Sequence, residues 1–205
     1  MPRRNVLRSD EPESFYHVYA RGHSRRRIFL DEQDYLYFLE LFERYLAPDI
    51  VKSGNRQAYP NFYNKVELDA YSLLPNYFHL LVYQHQTGEL SSFMRSLMTS
   101  YSIYFNKKHK RSGSLFESRF RASLVSDEAY LEHITRYIHL IPRQWHDYEY
   151  SSLPYYLQRL EVSWLNPKRV LSSFPGPEEY LRFMENREEN KRMQDILRHE
   201  LADQM

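Results

Sequence analysis

The stretch VELDAYSLLPNYFHLLVYQ, residues 66–84, decides the fold. Its two halves, 66–74 and 78–84, are rich in aliphatic and aromatic residues, and Pro75-Asn76 between them favours a turn. This pattern predicts two antiparallel strands that form a β-hairpin.

The segments on either side of the hairpin extend the pattern. Alternating residues predict strands at 15–21 and 119–125, and a stripe of apolar residues predicts a helix at 89–106. Asp31 is a plausible N-cap for a further helix that runs to about Leu46. The resulting β-α-β-β-α-β order predicts an α+β, ferredoxin-like core with a mainly antiparallel sheet and helices on one face.

Another helix follows the last predicted strand. Ser126 or Asp127 is its expected N-cap, and Pro142 ends it after about Ile141. We expect residues 1–156 to form one domain with a basic N-terminal arm at 1–13. A helical, acidic C-terminal extension is expected at 157–205, with a charged helix from about 178 to 202.

Composition excludes several classes of protein. The 205 residues contain no Cys, which excludes disulfides, thiolate metal sites and cysteine nucleophiles and fits a cytoplasmic protein. No glycine-rich nucleotide-binding motif is present. A membrane span and a signal peptide are not expected, because no apolar run is long enough for either.

The charge is unevenly distributed. Although the net charge is only +1, residues 1–27 contain seven Arg against three acidic residues. Residues 93–123 contain seven basic residues against Glu117 alone, and 178–205 contain eight acidic residues against five basic ones. Each basic cluster could be a solvated face, but aromatic residues interleaved with the second cluster also suit phosphate binding and base stacking.

Spacing alone suggests where chemistry could occur. Tyr77 and His79 are two residues apart on a predicted strand, so their side chains leave the same face. His133, Tyr137 and Ile141 form one stripe of the helix before Pro142. These residues could equally be core or rim positions, and the spacing does not decide between the two interpretations.

A resemblance favours the functional interpretation. AYSLLPNYFHLLV (70–82) resembles the signature of the single-tyrosine HUH transposases, and more closely that of the REP-associated tyrosine transposases. The similarity continues through 90–125 and 127–142, is visible at 15–42, and covers roughly residues 14–156.

The resemblance implies a metal-dependent tyrosine DNA endonuclease and strand transferase. Tyr137 stands where the family's nucleophile stands, and its attack on a phosphodiester would give a 5′-phosphotyrosine link and a free 3′-hydroxyl. A divalent cation, Mg²⁺ or Mn²⁺, would polarise the phosphate. The implied partner is single-stranded or hairpin, REP-like DNA, with no membrane partner, and the family includes both monomers and dimers.

Two positions depart from the family pattern. Tyr77 replaces the first histidine of the motif, and Ile141 replaces an asparagine that helps to complete the metal site. Of the expected metal ligands only His79 remains. Tyr77 is a weak candidate, because a neutral phenol is a poor ligand. His133, one turn before Tyr137, is a weak candidate to replace the lost helix ligand.

Three functions are therefore open: an active nuclease, a degenerate relative that binds structured DNA without cutting it, and a fold used for protein contacts. In the first two, DNA contacts are expected from Arg3, Arg4, Arg21, Arg25, Arg26, Arg27, Lys107, Lys108, Lys110, Arg111, Arg119 and Arg121.

Overall fold

A computed structural model describes residues 10–49, 59–125 and 130–186. In this part of the chain the strands are β1 Ser14–Arg21, β2 Val66–Leu74, β3 Tyr77–Gln84 and β4 Arg121–Val125. The α-helices of the same residues are α1 Glu32–Leu46, α2 Glu89–Lys108, α3 Leu131–Leu140, α4 Leu153–Tyr156, α5 Lys168–Leu171 and α6 Pro177–Glu185.

The four strands form one antiparallel sheet in the order β2-β3-β1-β4. This order is the one that a β-α-β-β-α-β chain produces when each helical crossover leaves room for one strand. The predicted ferredoxin-like α+β fold is therefore confirmed. The hairpin closes where predicted, because Leu74 pairs with Tyr77 across Pro75-Asn76.

Helices α1 and α2 cover one face of the sheet. Asp31 caps α1 as predicted, because its carboxylate accepts a hydrogen bond from the backbone N–H of Asp34 at 3.2 Å. Alternation along β1 directs Tyr16 and Val18 to this face, where both are fully buried with Phe38 of α1.

The opposite face carries a second apolar cluster. Leu81 of the sheet packs there with Ile138 of α3 and with Val170, Tyr180 and Met184 of the C-terminal segment. Residues 168–185 thus pack on α3. The domain boundary after residue 156 stays a prediction, and most of the predicted helix 178–202, like the predicted caps Ser126 and Asp127, lies outside the described residues.

Within the described ranges, every helix is too short or too polar to cross a membrane.

Candidate active site at the face covered by helix α3

Two histidines from neighbouring strands meet on the α3 side of the sheet. The β1–β3 register pairs Tyr19 with His79, so His17, two residues earlier on β1, leaves the same face. The His17 Nε2 and His79 Nδ1 atoms lie 2.8 Å apart in a hydrogen bond, and the two rings are stacked at 5.0 Å between centroids. His17 was not predicted as a site residue.

The Tyr137 ring contacts both histidines. Its centroid lies 5.8 Å from that of His17 and 5.8 Å from that of His79, with the rings nearly perpendicular in each case. Since Ile134 and Ile138 are buried against the sheet, the half-buried Tyr137 on the same helix is held at the edge of the covered surface. The structure therefore brings Tyr137 and His79 together, and their chemical roles stay predictions.

An arginine and a second tyrosine extend the site along the sheet. Tyr19 stacks on His79 with 5.4 Å between ring centroids, and Arg121 Nη1 donates a hydrogen bond to the Tyr19 hydroxyl at 3.2 Å. The Arg121 guanidinium also lies 5.9 Å from the centre of the Tyr19 ring. A positive charge is thus held next to the histidine pair by the β1–β4 pairing.

Burial keeps the histidine pair uncharged. It lowers the pKa of His17 to about 4. The pKa of His79 is also held well below its usual value, first by burial and then by the neighbouring His17. At neutral pH both imidazoles are neutral, so each presents one N–H and one lone pair.

Tyr77 and Ile141 are the two residues that depart from the family's ligand pattern. The Tyr77 ring lies 5.4 Å from that of His79, and burial raises the pKa of the Tyr77 phenol. A phenol with a raised pKa stays protonated, which makes it a poor ligand at neutral pH. Ile141 is the residue that follows α3 at its C-terminal end, and its aliphatic side chain has no ligand atom.

His133 is engaged on the α6 side of α3. Its Nδ1 lies 3.0 Å from Arg136 Nη2, and its ring lies 5.6 Å from that of Phe183. The buried Arg136 guanidinium lies 4.0 Å from the centre of the Phe183 ring and donates a hydrogen bond to the Phe183 carbonyl. These contacts occupy His133 Nδ1 and attach α3 to α6.

His139 fixes the other end of α3. It is fully buried, with Nδ1 2.8 Å from the Tyr180 hydroxyl and Nε2 2.6 Å from Ser152 Oγ. Ser152 Oγ also accepts a hydrogen bond from the backbone N–H of Tyr71 on β2. Helices α3 and α6 and the sheet are thereby linked two residues from Tyr137.

Neither donor set in the described residues suits Mg²⁺, which prefers oxygen ligands. The site at Tyr137 offers neutral imidazole nitrogens. Among the described ranges, one group of three potential ligands occurs, Asp31, Asp34 and His109. The Lys108 ammonium already lies 2.9 Å from Asp34 Oδ1 and also pairs with Asp31, so a cation of the protein occupies that cluster.

Several predicted DNA-binding cations have partners within the protein. Arg21 forms a two-point ion pair with Glu117, and Lys108 pairs with Asp31 and Asp34. Arg26 donates to the His23 carbonyl, and the Arg111 guanidinium lies 5.7 Å from the Phe105 ring centre. Arg121 is half-buried and donates to the Tyr19 hydroxyl. The other predicted cations with described positions are exposed: Arg25, Arg27, Lys107, Lys110 and Arg119. Arg3 and Arg4 lie outside the described residues.

The two basic segments that the sequence separates run side by side in the fold. The backbone N–H of His23 donates to the Leu115 carbonyl at 2.9 Å, and that of Glu117 donates to the Arg21 carbonyl at 3.0 Å. Gly22 pairs with Phe116 between these bonds. Segments 21–27 and 113–121 thus form one surface, called the basic surface below, at the sheet end that leads to Arg121.

The site thus combines a helix-borne tyrosine with two histidines on an antiparallel sheet. Residues 61–140 match the family model described as "Transposase IS200 like". This match agrees with the resemblance over that part of the chain.

Two solved structures are similar in fold. One is a REP-associated tyrosine transposase bound to a REP hairpin, with a TM-score of 0.55 and 15% identity over 80% of this chain and 92% of that chain. The other is a candidate transposase from Deinococcus radiodurans R1, with a TM-score of 0.39 and 19% identity over 64% and 92%. None of the curated proteins is significantly similar in sequence.

Proposed function

We propose that the protein binds single-stranded or hairpin DNA and that Tyr137 cuts and rejoins one strand. The observation that carries the proposal is the position of the Tyr137 ring against His17 and His79. Tyr137 also combines partial exposure with a rigid helical support. Arg121 lies against Tyr19, which stacks on the same His79 ring that Tyr137 contacts.

The proposed step exchanges one ester for another. The Tyr137 phenol oxygen forms a bond to phosphorus, and the bond from phosphorus to the 3′ oxygen breaks. The phenol loses one proton, and the departing 3′ oxygen gains one to become a hydroxyl. The phosphodiester energy is kept in the tyrosine link, so attack by a DNA 3′-hydroxyl rejoins a strand without ATP. A divalent cation, when bound, would supply Lewis-acid stabilisation of the phosphate charge.

The basic surface supports a nucleic-acid partner. Its exposed cations are Arg25 and Arg27 on one segment and Arg119 on the segment that pairs with it at Gly22 and Phe116. Arg119 is two residues from Arg121, which donates a hydrogen bond to Tyr19 beside His79. Cations that bind phosphates release condensed counterions, so the binding must weaken with salt. A DNA strand bound to the basic surface would run towards Tyr137. A REP-like hairpin is the partner to test first, because the similar solved structure holds one.

A second candidate function is binding without cutting. By the resemblance, Tyr77 and Ile141 stand at the two positions where the family supplies metal ligands. His17 Nε2 and His79 Nδ1 are hydrogen-bonded to each other. This alternative predicts the same DNA affinity and no covalent product.

The cleavage test uses labelled single-stranded hairpin DNA with Mg²⁺, Mn²⁺ or Zn²⁺ and detects an adduct that resists denaturation. We expect an adduct with the natural chain and none with Tyr137→Phe. The matched control is Tyr130→Phe, which changes an exposed tyrosine just before α3. A mobility shift without an adduct under all metals supports the binding-only function, and an adduct that persists in Tyr137→Phe removes Tyr137 from the role.

The binding test measures affinity against salt. Replacing Arg27 and Arg119 of the basic surface together with Gln should reduce the slope of log affinity against log salt by about 1 to 2, because each lost phosphate contact removes about one released ion. Arg182→Gln on α6 is the control, since Arg182 is exposed but lies outside the basic surface. Equal slopes for all three proteins would contradict the assignment of this surface.

A further inference from the structure

We propose that Arg21 and Arg121 form a binding site for one phosphate of a DNA backbone, and that the Glu117 carboxylate fills this site until DNA displaces it. Glu117 is the one acidic residue in the basic surface, segments 21–27 and 113–121, which contains six arginines. The site deepens the proposed function, because it rests on DNA binding at this surface.

Backbone pairing places Arg21 and Glu117 opposite each other. The Glu117 N–H donates to the Arg21 carbonyl at 3.0 Å, and Gly22 pairs with Phe116 one residue further on. Residues that face each other on antiparallel chains have neighbouring side chains. The Arg21 and Glu117 side chains are therefore held together within the basic surface.

The contact between these side chains has the geometry of phosphate recognition. The Arg21 guanidinium donates to both carboxylate oxygens of Glu117, through Nε and, at 3.0 Å, through Nη2. A guanidinium presents the same fork of donors to a carboxylate and to a phosphate. The side chains of Arg21 and Glu117 are 28% and 37% exposed, so a phosphate can reach the guanidinium from solvent. Because exposed ion pairs contribute little to stability, a phosphate can replace the carboxylate at a small cost.

The site lies on the same side of the sheet as Tyr137. Tyr19 and Arg21 are two residues apart on β1, so their side chains leave the same face. Arg121 is opposite Tyr19 in the β1–β4 register and donates to the Tyr19 hydroxyl at 3.2 Å. A phosphate held by Arg21 and Arg121 would thus lie beside Tyr19, whose ring stacks on His79.

The Glu117 carboxylate is a permanent charge in this surface. The hydrogen bond from Arg21 lowers the pKa of Glu117 most, and the nearby Arg121 and His23 lower it further. An acid whose pKa is lowered in this way stays ionised at neutral pH. A DNA phosphate that approaches Arg21 therefore meets a negative charge that it must replace.

The first test measures the affinity of Glu117→Gln and of the natural chain for labelled single-stranded hairpin DNA at several salt concentrations, without added divalent cations. We expect Glu117→Gln to bind about fivefold more tightly at low salt, the ratio that corresponds to the repulsion of two unit charges about 4 Å apart in water. The gain should shrink as salt is raised, because salt screens exposed charges. Glu40→Gln is the matched control, since it makes the same change of charge at an exposed position of α1.

The second test follows Glu117 in the natural chain, so it needs no variant to fold. The carboxyl carbon of Glu117 is titrated by NMR with and without a saturating amount of the same hairpin DNA. Loss of the Arg21 partner and approach of a phosphate both favour the protonated acid, so DNA should raise the pKa of Glu117.

Two results would each overturn the phosphate site: Glu117→Gln that binds DNA no more tightly than Glu40→Gln, or a pKa of Glu117 that DNA leaves unchanged. A natural chain that still binds DNA in a salt-dependent way would then keep the proposed function, whereas a natural chain without such binding would overturn both. A thermal unfolding midpoint within about 4 °C of that of the natural chain shows that Glu117→Gln is folded, as expected for the loss of an exposed ion pair.

Discussion

The Tyr180 hydroxyl is expected to hold the helix that carries Tyr137, and Tyr180→Phe tests this. Tyr180 is fully buried, and its hydroxyl lies 2.8 Å from His139 Nδ1. The substitution keeps the ring packed but leaves a buried imidazole nitrogen without this partner. Because an unsatisfied buried polar group costs about 1–3 kcal/mol, we expect the free energy of unfolding to fall by that amount.

Urea denaturation measures the change, with an unaltered m-value showing that only stability has changed. Tyr63→Phe is the control, because the Tyr63 side chain is 43% exposed and should contribute less than about 0.5 kcal/mol. A loss below about 0.5 kcal/mol in Tyr180→Phe would refute the reasoning.

A double-mutant cycle separates the hydrogen bond from general packing. Ser152 Oγ lies 2.6 Å from the other nitrogen of His139, so the two bonds share one ring. The losses from Tyr180→Phe and Ser152→Ala should therefore be non-additive by about 0.5 kcal/mol or more. Strict additivity would mean that His139 does not couple α6 to the sheet.

Two further substitutions test other parts of the fold. Asp69 is fully buried, and within the described residues neither carboxylate oxygen has a hydrogen-bond partner; burial and the nearby Glu67 raise its pKa well above the usual value. Because the pKa of Asp69 is raised in the folded state, stability falls as the pH rises above the unfolded pKa of about 4. In urea titrations we therefore expect Asp69→Asn to be more stable than the natural chain at pH 7 and equally stable below pH about 4. A natural chain that is more stable than Asp69→Asn at pH 7 would contradict this. Gly22→Ala would place a Cβ 2.1 Å from the Arg26 carbonyl oxygen, whereas Gly176→Ala would meet nothing closer than 3.6 Å. We expect Gly22→Ala alone to lower the free energy of unfolding, by about 1–3 kcal/mol, and to weaken DNA binding, and equal stability of the two variants would contradict the close approach.

The strands and helices were predictable because they depend on local patterns. The hairpin of 66–84 carries both its apolar strands and its turn residues, and Asp31 marks the start of α1. The predicted and observed elements differ slightly at their ends. Strand β4 begins at Arg121 instead of the predicted residue 119, because its pairing with β1 begins at the Tyr19–Arg121 pair.

His17 could not be predicted from spacing, because it is a partner of His79 only through the register of β1 and β3. In the sequence it is one polar residue in a strand of buried residues, and 62 positions separate it from His79. Its isolation in a buried strand was the one available signal, since a buried histidine must have a partner.

The charges show the same limit. The sequence predicted two basic clusters, but it could not show that Glu117 neutralises Arg21 from 96 residues away or that Asp34 does the same to Lys108. It also could not show that the two segments meet at Gly22 and Phe116.

The most direct test of the central claim is to map the DNA attachment site by mass spectrometry of peptides from the covalent complex. We expect the nucleotide on Tyr137, linked through a 5′ phosphate, in a peptide that contains Ile138 and His139. Attachment to another tyrosine, such as Tyr19 or Tyr77 beside the same histidine, would contradict the assignment of the nucleophile.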